Sequence, residues 1–233
     1  MFGTVPASLL LAALLAVGGG SAPSEFSAEI VDLQKTATPT LAKFYFTKDK
    51  KRIEMQEASG EETIILNIVP PTAARKGTHI QAGGRGDTII MNLAAHTSTV
   101  LFPQERTYAE GSLKDLMPTE LYGLYAFIQP TDVDNACTEW MTRPGAGDET
   151  CRNLGRETLN GRDAVKYELS CYGEVCRLWI DRNLHVLLKR ETKWNSTELR
   201  NIHEGPLPPS LFEVPIGYSS KNIGGILRPS EPQ

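Results

Sequence analysis

The residues of this chain whose chemistry depends most on spacing are its four cysteines and four histidines. Cys137, Cys151, Cys171 and Cys176 are separated by thirteen, nineteen and four residues, and these gaps match no common zinc pattern of paired short spacings. His79, His96, His185 and His203 have no HExxH spacing, and His203 and Glu204 run straight into GPLPP, so they cannot begin a zinc-binding helix. No serine stands in a GxSxG context. The GGRGD stretch ending at Asp87 lacks the lysine and the following helix of a phosphate loop. Arg85, Gly86 and Asp87 spell RGD, but in a Gly-rich loop they read as a solvated turn. Asn195 begins an N-S-T sequon, which matters only in a eukaryotic secretory pathway. Trp140, Trp179 and Trp194 read as core or rim packing. The pattern specifies no catalytic residue, no cofactor and no metal site, and a non-enzyme is expected.

Compartment decides how the cysteines are read. Residues 7–17, ASLLLAALLAV, form an uninterrupted apolar or small run that GGGSAPSEF then ends. That is the h-region and cleavage region of an export signal over residues 1–22, too short to span a membrane. No cysteine lies near it, so a lipid-anchored protein is not expected, and the mature chain is expected in a periplasm or secreted. In such a compartment four cysteines are most simply two disulfides. If Cys171 faces Cys176 across an antiparallel hairpin, opposed residue numbers sum to 347, which sets Leu169 against Leu178 and Tyr167 against Ile180 on one apolar face. Cys137 is then left for Cys151, closing the loop TEWMTRPGAGDET.

Removing residues 1–22 takes away no charged residue, so the mature chain keeps the net charge of −4. Scattered Lys and Arg make no basic stripe, which excludes a nucleic-acid partner on electrostatic grounds. No later apolar run is long enough to cross a bilayer as a helix.

The elements that would position these residues are mostly strands. Alternating patterns predict strands at 26–33, 41–47, 51–57, 62–68, 87–93, 97–103 and 105–110, then at 153–159, 163–171, 176–181, 184–194 and 197–203. KFYFTKDKKRIEMQ is expected to fold with pairs summing to 99, placing Phe46 against Ile53 and Phe44 against Met55, with Tyr45, Thr47, Arg52 and Glu54 on a wet face. A turn at DRN is expected to set Ile180 against Leu184 and Leu178 against Val186, with His185 opposite Trp179 outside. Thr119 before ELYGLYAFI can cap a helix bounded by Pro118 and Pro130. Residues 70–86 read as a polar loop and 219–233 as a mobile tail, leaving 23–218 as one domain.

The order of an export signal, FYFTKDKKRIEM, STVLFPQERTYAEG, GRETLNGRDAVKYEL, LWIDRNLHVLLKRET and PLPPSLFEVPIGY resembles the LolA-like group of bacterial periplasmic proteins, over residues 26–218. That group includes outer-membrane lipoprotein carriers and related sorting proteins. The resemblance implies an α+β fold, mostly antiparallel β: a strongly curved half-barrel sheet with helices plugging its concave face and an apolar cavity that accepts acyl chains. On this reading Phe44, Phe46, Ile53, Met55, Ile64 and Leu66 would line the cavity. The expected ligand is an acyl group or an envelope lipoprotein, and the alternative is an envelope domain that binds a protein partner.

Overall fold

The computed structural model describes residues 25–35, 40–56, 65–66, 80–81, 86–113, 125, 128–142, 150–171 and 174–221. Alternation dictates most of what forms. In β2 (Thr40–Thr47), Ala42, Phe44 and Phe46 are buried while Lys43 is exposed, and in β3 (Lys50–Met55) positions 51, 53 and 55 are buried. The other long strands are β1 (Glu25–Asp32), β6 (Thr88–Asn92), β7 (Thr97–Phe102), β8 (Thr107–Ser112), β9 (Thr150–Leu159), β10 (Arg162–Cys171), β11 (Glu174–Asp181), β12 (Leu187–Glu191) and β13 (Ser196–Glu204). With β14 (Ser219–Ser220) they make one sheet in the order β14-β8-β7-β6-β3-β2-β1-β13-β12-β11-β10-β9. β4 (Ile65–Leu66) and β5 (Ile80–Gln81) pair separately. All pairings are antiparallel except that of β14 with β8. β1 joins two meanders, because it lies between β2 and β13. The sheet ends at β14 and β9, which do not pair with each other, so it is not closed.

One short helix, α1 (Ala136–Thr142), follows a 3₁₀ turn at Val133–Asn135. Asp132 caps that turn by accepting from the Asp134 and Asn135 amides. Of residues 138–150, expected as a loop, five belong to α1. The helix is anchored rather than intrinsically stable: it is two turns long, and Cys137 is disulfide-bonded to Cys151 of β9 with Cα atoms 5.5 Å apart. Of the helix expected after Thr119, Tyr125 and Ile128 are described: Tyr125 is helical and fully buried, and Ile128 is not helical. The expected export signal at 1–22 and nearly all of the 70–86 loop lie outside the described residues.

Three expected registers are corrected. β2 and β3 pair with a sum of 97, setting Ala42 against Met55, Phe44 against Ile53 and Phe46 against Lys51, because the turn centres on Lys48 and Asp49. The Thr47 hydroxyl closes this turn by accepting the Lys50 amide at 2.9 Å. β10 and β11 pair with a sum of 345, setting Leu169 against Cys176, Tyr167 against Leu178 and Cys171 against Glu174. Cys176 is a free thiol, so the Cys171–Cys176 bridge derived from the other register does not form. β11 and β12 set Ile180 against Leu187 and Leu178 against Arg190 across a bulge. The connection is longer than DRN because Asp181 organises it, its carboxylate accepting the Asn183 and Leu184 amides at 2.7 Å each. Lys189, not His185, therefore opposes Trp179.

The outer face is not wet throughout. Ile90, Leu101 and Phe212 are buried together, with Tyr45, Tyr108, Leu207, Leu211, Val214 and Tyr218 packed around them. The segment after β13 thus covers the outer side of β2, β3 and β6–β8. Arg52, expected on a wet face, is 13% exposed and donates to Glu54 and to the Leu211 carbonyl. Residues 219 and 220, expected in a mobile tail, add β14 to the edge of β8.

Candidate functional site

The inner face is built in rows that run across the strands. One row is Ala28, Phe44, Ile53, Ile89, Val100 and Ala109, all apolar and all buried. On one side of it, towards the β2–β3 turn, runs the row Phe26, Phe46, Lys51, Met91, Ser98 and Gly111. The first row belongs wholly to the largest buried cluster, together with Met55 and Met91. Phe26 stacks on Phe46 at 4.8 Å, and both meet Phe44 edge-on at about 6 Å. This face is what alternation along β1, β2, β3, β6, β7 and β8 produces when those strands are neighbours.

The second row carries a buried charge. Lys51 is fully buried, its Nζ lies 3.1 Å from the Phe46 ring centroid and donates to the Thr47 carbonyl at 2.5 Å. The ring face and the carbonyl favour the ammonium form, but burial disfavours it and prevails, bringing the pKa down to about 7. Ser98, also fully buried, has no hydrogen-bond partner for its hydroxyl.

At the other end of the sheet α1 packs on the same face. Trp140 meets Tyr167 edge-on at 5.1 Å, and the Tyr167 hydroxyl donates to the Val133 carbonyl and accepts the Ala136 amide at 3.3 Å. Burial pushes the Tyr167 phenol up. Tyr125 donates to Thr197 on β13 at 3.0 Å, and burial raises its phenol strongly. Burial also raises the Cys176 thiol.

Of the residues expected to line a cavity, Phe44, Phe46, Ile53 and Met55 come together on this face, exposed by at most 7%. Ile64 lies outside the described residues, and of Leu66 the backbone is placed, in the separate β4–β5 pair. Lys51 was missed because a lysine next to KDK reads as solvated even at the start of the expected 51–57 strand. The signal that could have found it is parity: Lys51 shares a strand face with Ile53 and Met55.

The remaining chemistry-bearing residues do not assemble. Asp87 of the RGD sequence is 6% exposed and its carbonyl accepts the Met55 amide, which places it in the sheet rather than on a solvated turn. His96 and His203 are exposed, and the His185 ring contacts the Pro130 carbonyl at 3.1 Å. Among the described residues no cluster of three or more His, Cys, Asp or Glu side chains could hold a metal ion, and no helix is long and apolar enough to cross a membrane. Of the tryptophans, Trp140 and Trp179 are buried and Trp194 is 65% exposed. On the outer side of β10–β13, a cavity of about 490 Å³ is lined by Leu159, Leu188 and Ile202 with Asn160, Arg162 and Arg200 around them. Its two arginines are already paired, Arg162 with Asp181 and Glu204, and Arg200 with Glu198.

No protein-family model matches the chain, and no curated protein matches it. Among solved structures it is similar to PNGF-II, at 8% identity and a TM-score of 0.43, over 87% of this chain and 32% of that one. It is similar to MucB at 12% identity and a TM-score of 0.38, over 84% of this chain and 59% of that one. A LolA superfamily protein from Nitrosomonas europaea matches at 12% identity and a TM-score of 0.29, over 82% of this chain and 90% of that one. The chain thus spans about a third of PNGF-II and under two thirds of MucB. A putative outer membrane lipoprotein-sorting protein domain from Vibrio parahaemolyticus matches at 11% identity and a TM-score of 0.29, over 81% of this chain and 87% of that one. At such identities and TM-scores the likeness brings no activity to this chain.

Proposed function

We propose that this chain is an exported, non-catalytic binding protein that shields an apolar, acyl-containing ligand, or the acyl chain of an envelope lipoprotein, against the inner face of its open sheet. Residues 23–218 would act as one unit after loss of residues 1–22. The observation that carries this reading is the continuous apolar row from Ala28 to Ala109, lying on one face of a sheet that does not close. An acyl chain laid along it gains about 0.8 kcal/mol for each methylene taken out of water, so it needs little polar recognition. Phe44, Ile53 and Met55 would lie against the chain.

A second reading has its own support. Phe44, Ile53, Ile89 and Val100 are each 0% exposed, as in a face already filled by the protein itself. A filled face leaves no room for a ligand and favours an envelope domain that contacts a protein partner.

One substitution separates the two. Ala109→Phe adds a ring to the inner face where its neighbour in the row is Val100. If acyl chains occupy that space, the variant keeps its melting temperature and loses uptake of a fluorescent fatty acid. If the face is close-packed, the wild type takes up no probe and the variant is destabilised by about 1–3 kcal/mol through overpacking.

A further inference from the structure

We infer that the end of the inner face at the β2–β3 turn receives the anionic head of an amphiphile, a carboxylate or a phosphate monoester, whose acyl chain lies along the apolar row beside it; this rests on the proposed acyl-binding reading. Three observations meet there. Lys51 is a cation on a buried face, and among the described residues no carboxylate lies within ion-pair distance of its Nζ, which spends one donor on the Thr47 carbonyl, faces the Phe46 ring with another and keeps one for an incoming oxygen. Ser98 points the same way by strand parity, is 0% exposed and has an unsatisfied hydroxyl. Next to it in the row stands Gly111, which fills no space with a side chain.

The face is therefore graded. The row of Ala28, Phe44, Ile53, Ile89, Val100 and Ala109 offers nothing but hydrocarbon, while the neighbouring row offers an ammonium and a hydroxyl two strands apart, roughly 10 Å between backbones. Buried polar groups left without partners are costly, and a bound anion would satisfy both the charge and the donors. Asp49, in the β2–β3 turn, is the charged group that acts on Lys51 in the free protein. An entering anion would compete with that influence at closer range.

The test uses the full exported chain, titrated with the fluorescent fatty acid cis-parinaric acid and with its neutral methyl ester. Wild type should bind the acid about tenfold more tightly than the ester, as one charged hydrogen bond in a buried site implies. Lys51→Met should bind acid and ester equally, and Lys51→Arg should keep the preference. Ser98→Ala should lose about threefold for the acid alone. Displacement of the bound acid by dodecanoate and by dodecyl phosphate tells which head is preferred, and equal displacement by dodecanol would overturn the anion. Equal binding of acid and ester by wild type, or a preference that survives in Lys51→Met, overturns this inference and leaves acyl binding standing. If neither probe binds, both readings fall. Lys51→Met keeps the volume of the side chain and removes a buried charge, so it is expected to fold.

Discussion

Lys51 stands directly across the β2–β3 ladder from Phe46, with its ammonium 3.1 Å from the centre of that ring and its carbon chain buried against the inner face. A tight turn brings the Thr47 carbonyl to the same ammonium. The charge is thus stabilised by a quadrupole and a dipole, neither of which replaces the water it lost.

That imbalance gives a pH dependence with a definite sign. The folded pKa is about 7 against 10.5 for the free side chain, so between these values the unfolded chain binds more protons than the folded one. This contribution to stability therefore rises with pH from about 7 towards 10, and the full penalty is felt below 7. The advantage of Lys51→Met over wild type should be largest near pH 6 and vanish above about pH 11, in urea denaturation at each pH. An advantage independent of pH would show that Lys51 titrates normally.

The cysteines separate by role. Cys137–Cys151 ties α1 to the edge strand and closes a segment of 14 residues, so replacing both with Ala should cost up to about 3 kcal/mol, read from the melting temperature. Peptide mapping without reduction should return Cys176 as a free thiol, alkylated slowly at neutral pH because burial raises it. Cys176 found in a disulfide would show that the β10–β11 register had moved.

Asp181 is fully buried, accepts two backbone amides of the turn after β11 and pairs with Arg162. Asp181→Ala leaves those amides without their acceptor and takes one of two carboxylates from the Arg162 guanidinium, which keeps Glu204, and should cost about 3–5 kcal/mol in denaturant unfolding. Asp181→Asn keeps an acceptor oxygen and should cost less. Equal losses from the two variants would mean that the charge, not the turn, dominates.

The strands were legible in the sequence because burial on one face imposes a period of two. The same period explains the errors. In β2–β3 and β10–β11 the expected registers were displaced by two residues, which exchanges Ile53 for Met55 opposite Phe44, and Cys176 for Leu178 opposite Leu169, without moving any residue to the other face. Parity is written in the alternation; register is written in the turn, and the Thr47 hydroxyl and Asp181 carboxylate that set two of these turns read as ordinary polar residues. The wet outer face was misread because its cover, Leu207 to Tyr218, lies more than 150 residues from Arg52, whose guanidinium reaches the Leu211 carbonyl. Lys51 escaped although parity puts it on the face of Ile53 and Met55, because a lysine beside KDK reads as solvated.

The exposed edge at β9 supports the last prediction. Lys166 of β10 opposes Gly155 and Tyr167 opposes Asn153, so Leu154 is an extra residue in a bulge, 39% exposed. The bulge is held by the Asn153 side chain, which accepts the Gly155 amide at 2.7 Å, and by Gly155 at φ +98. Nothing lies within 4 Å of a Cβ built there, so the cost of a side chain comes from the backbone and not from crowding. Gly155→Val should destabilise by about 1–2 kcal/mol, because a β-branched residue resists positive φ. The relief available to it is to straighten the strand, which turns an interrupted edge into a continuous one able to pair with another copy. Sedimentation velocity should therefore show self-association of Gly155→Val at concentrations where wild type runs as a single smaller species. Gly155→Asn, which tolerates positive φ, should keep both the stability and the wild-type sedimentation, and association of that variant would show that the bulge does not protect the edge.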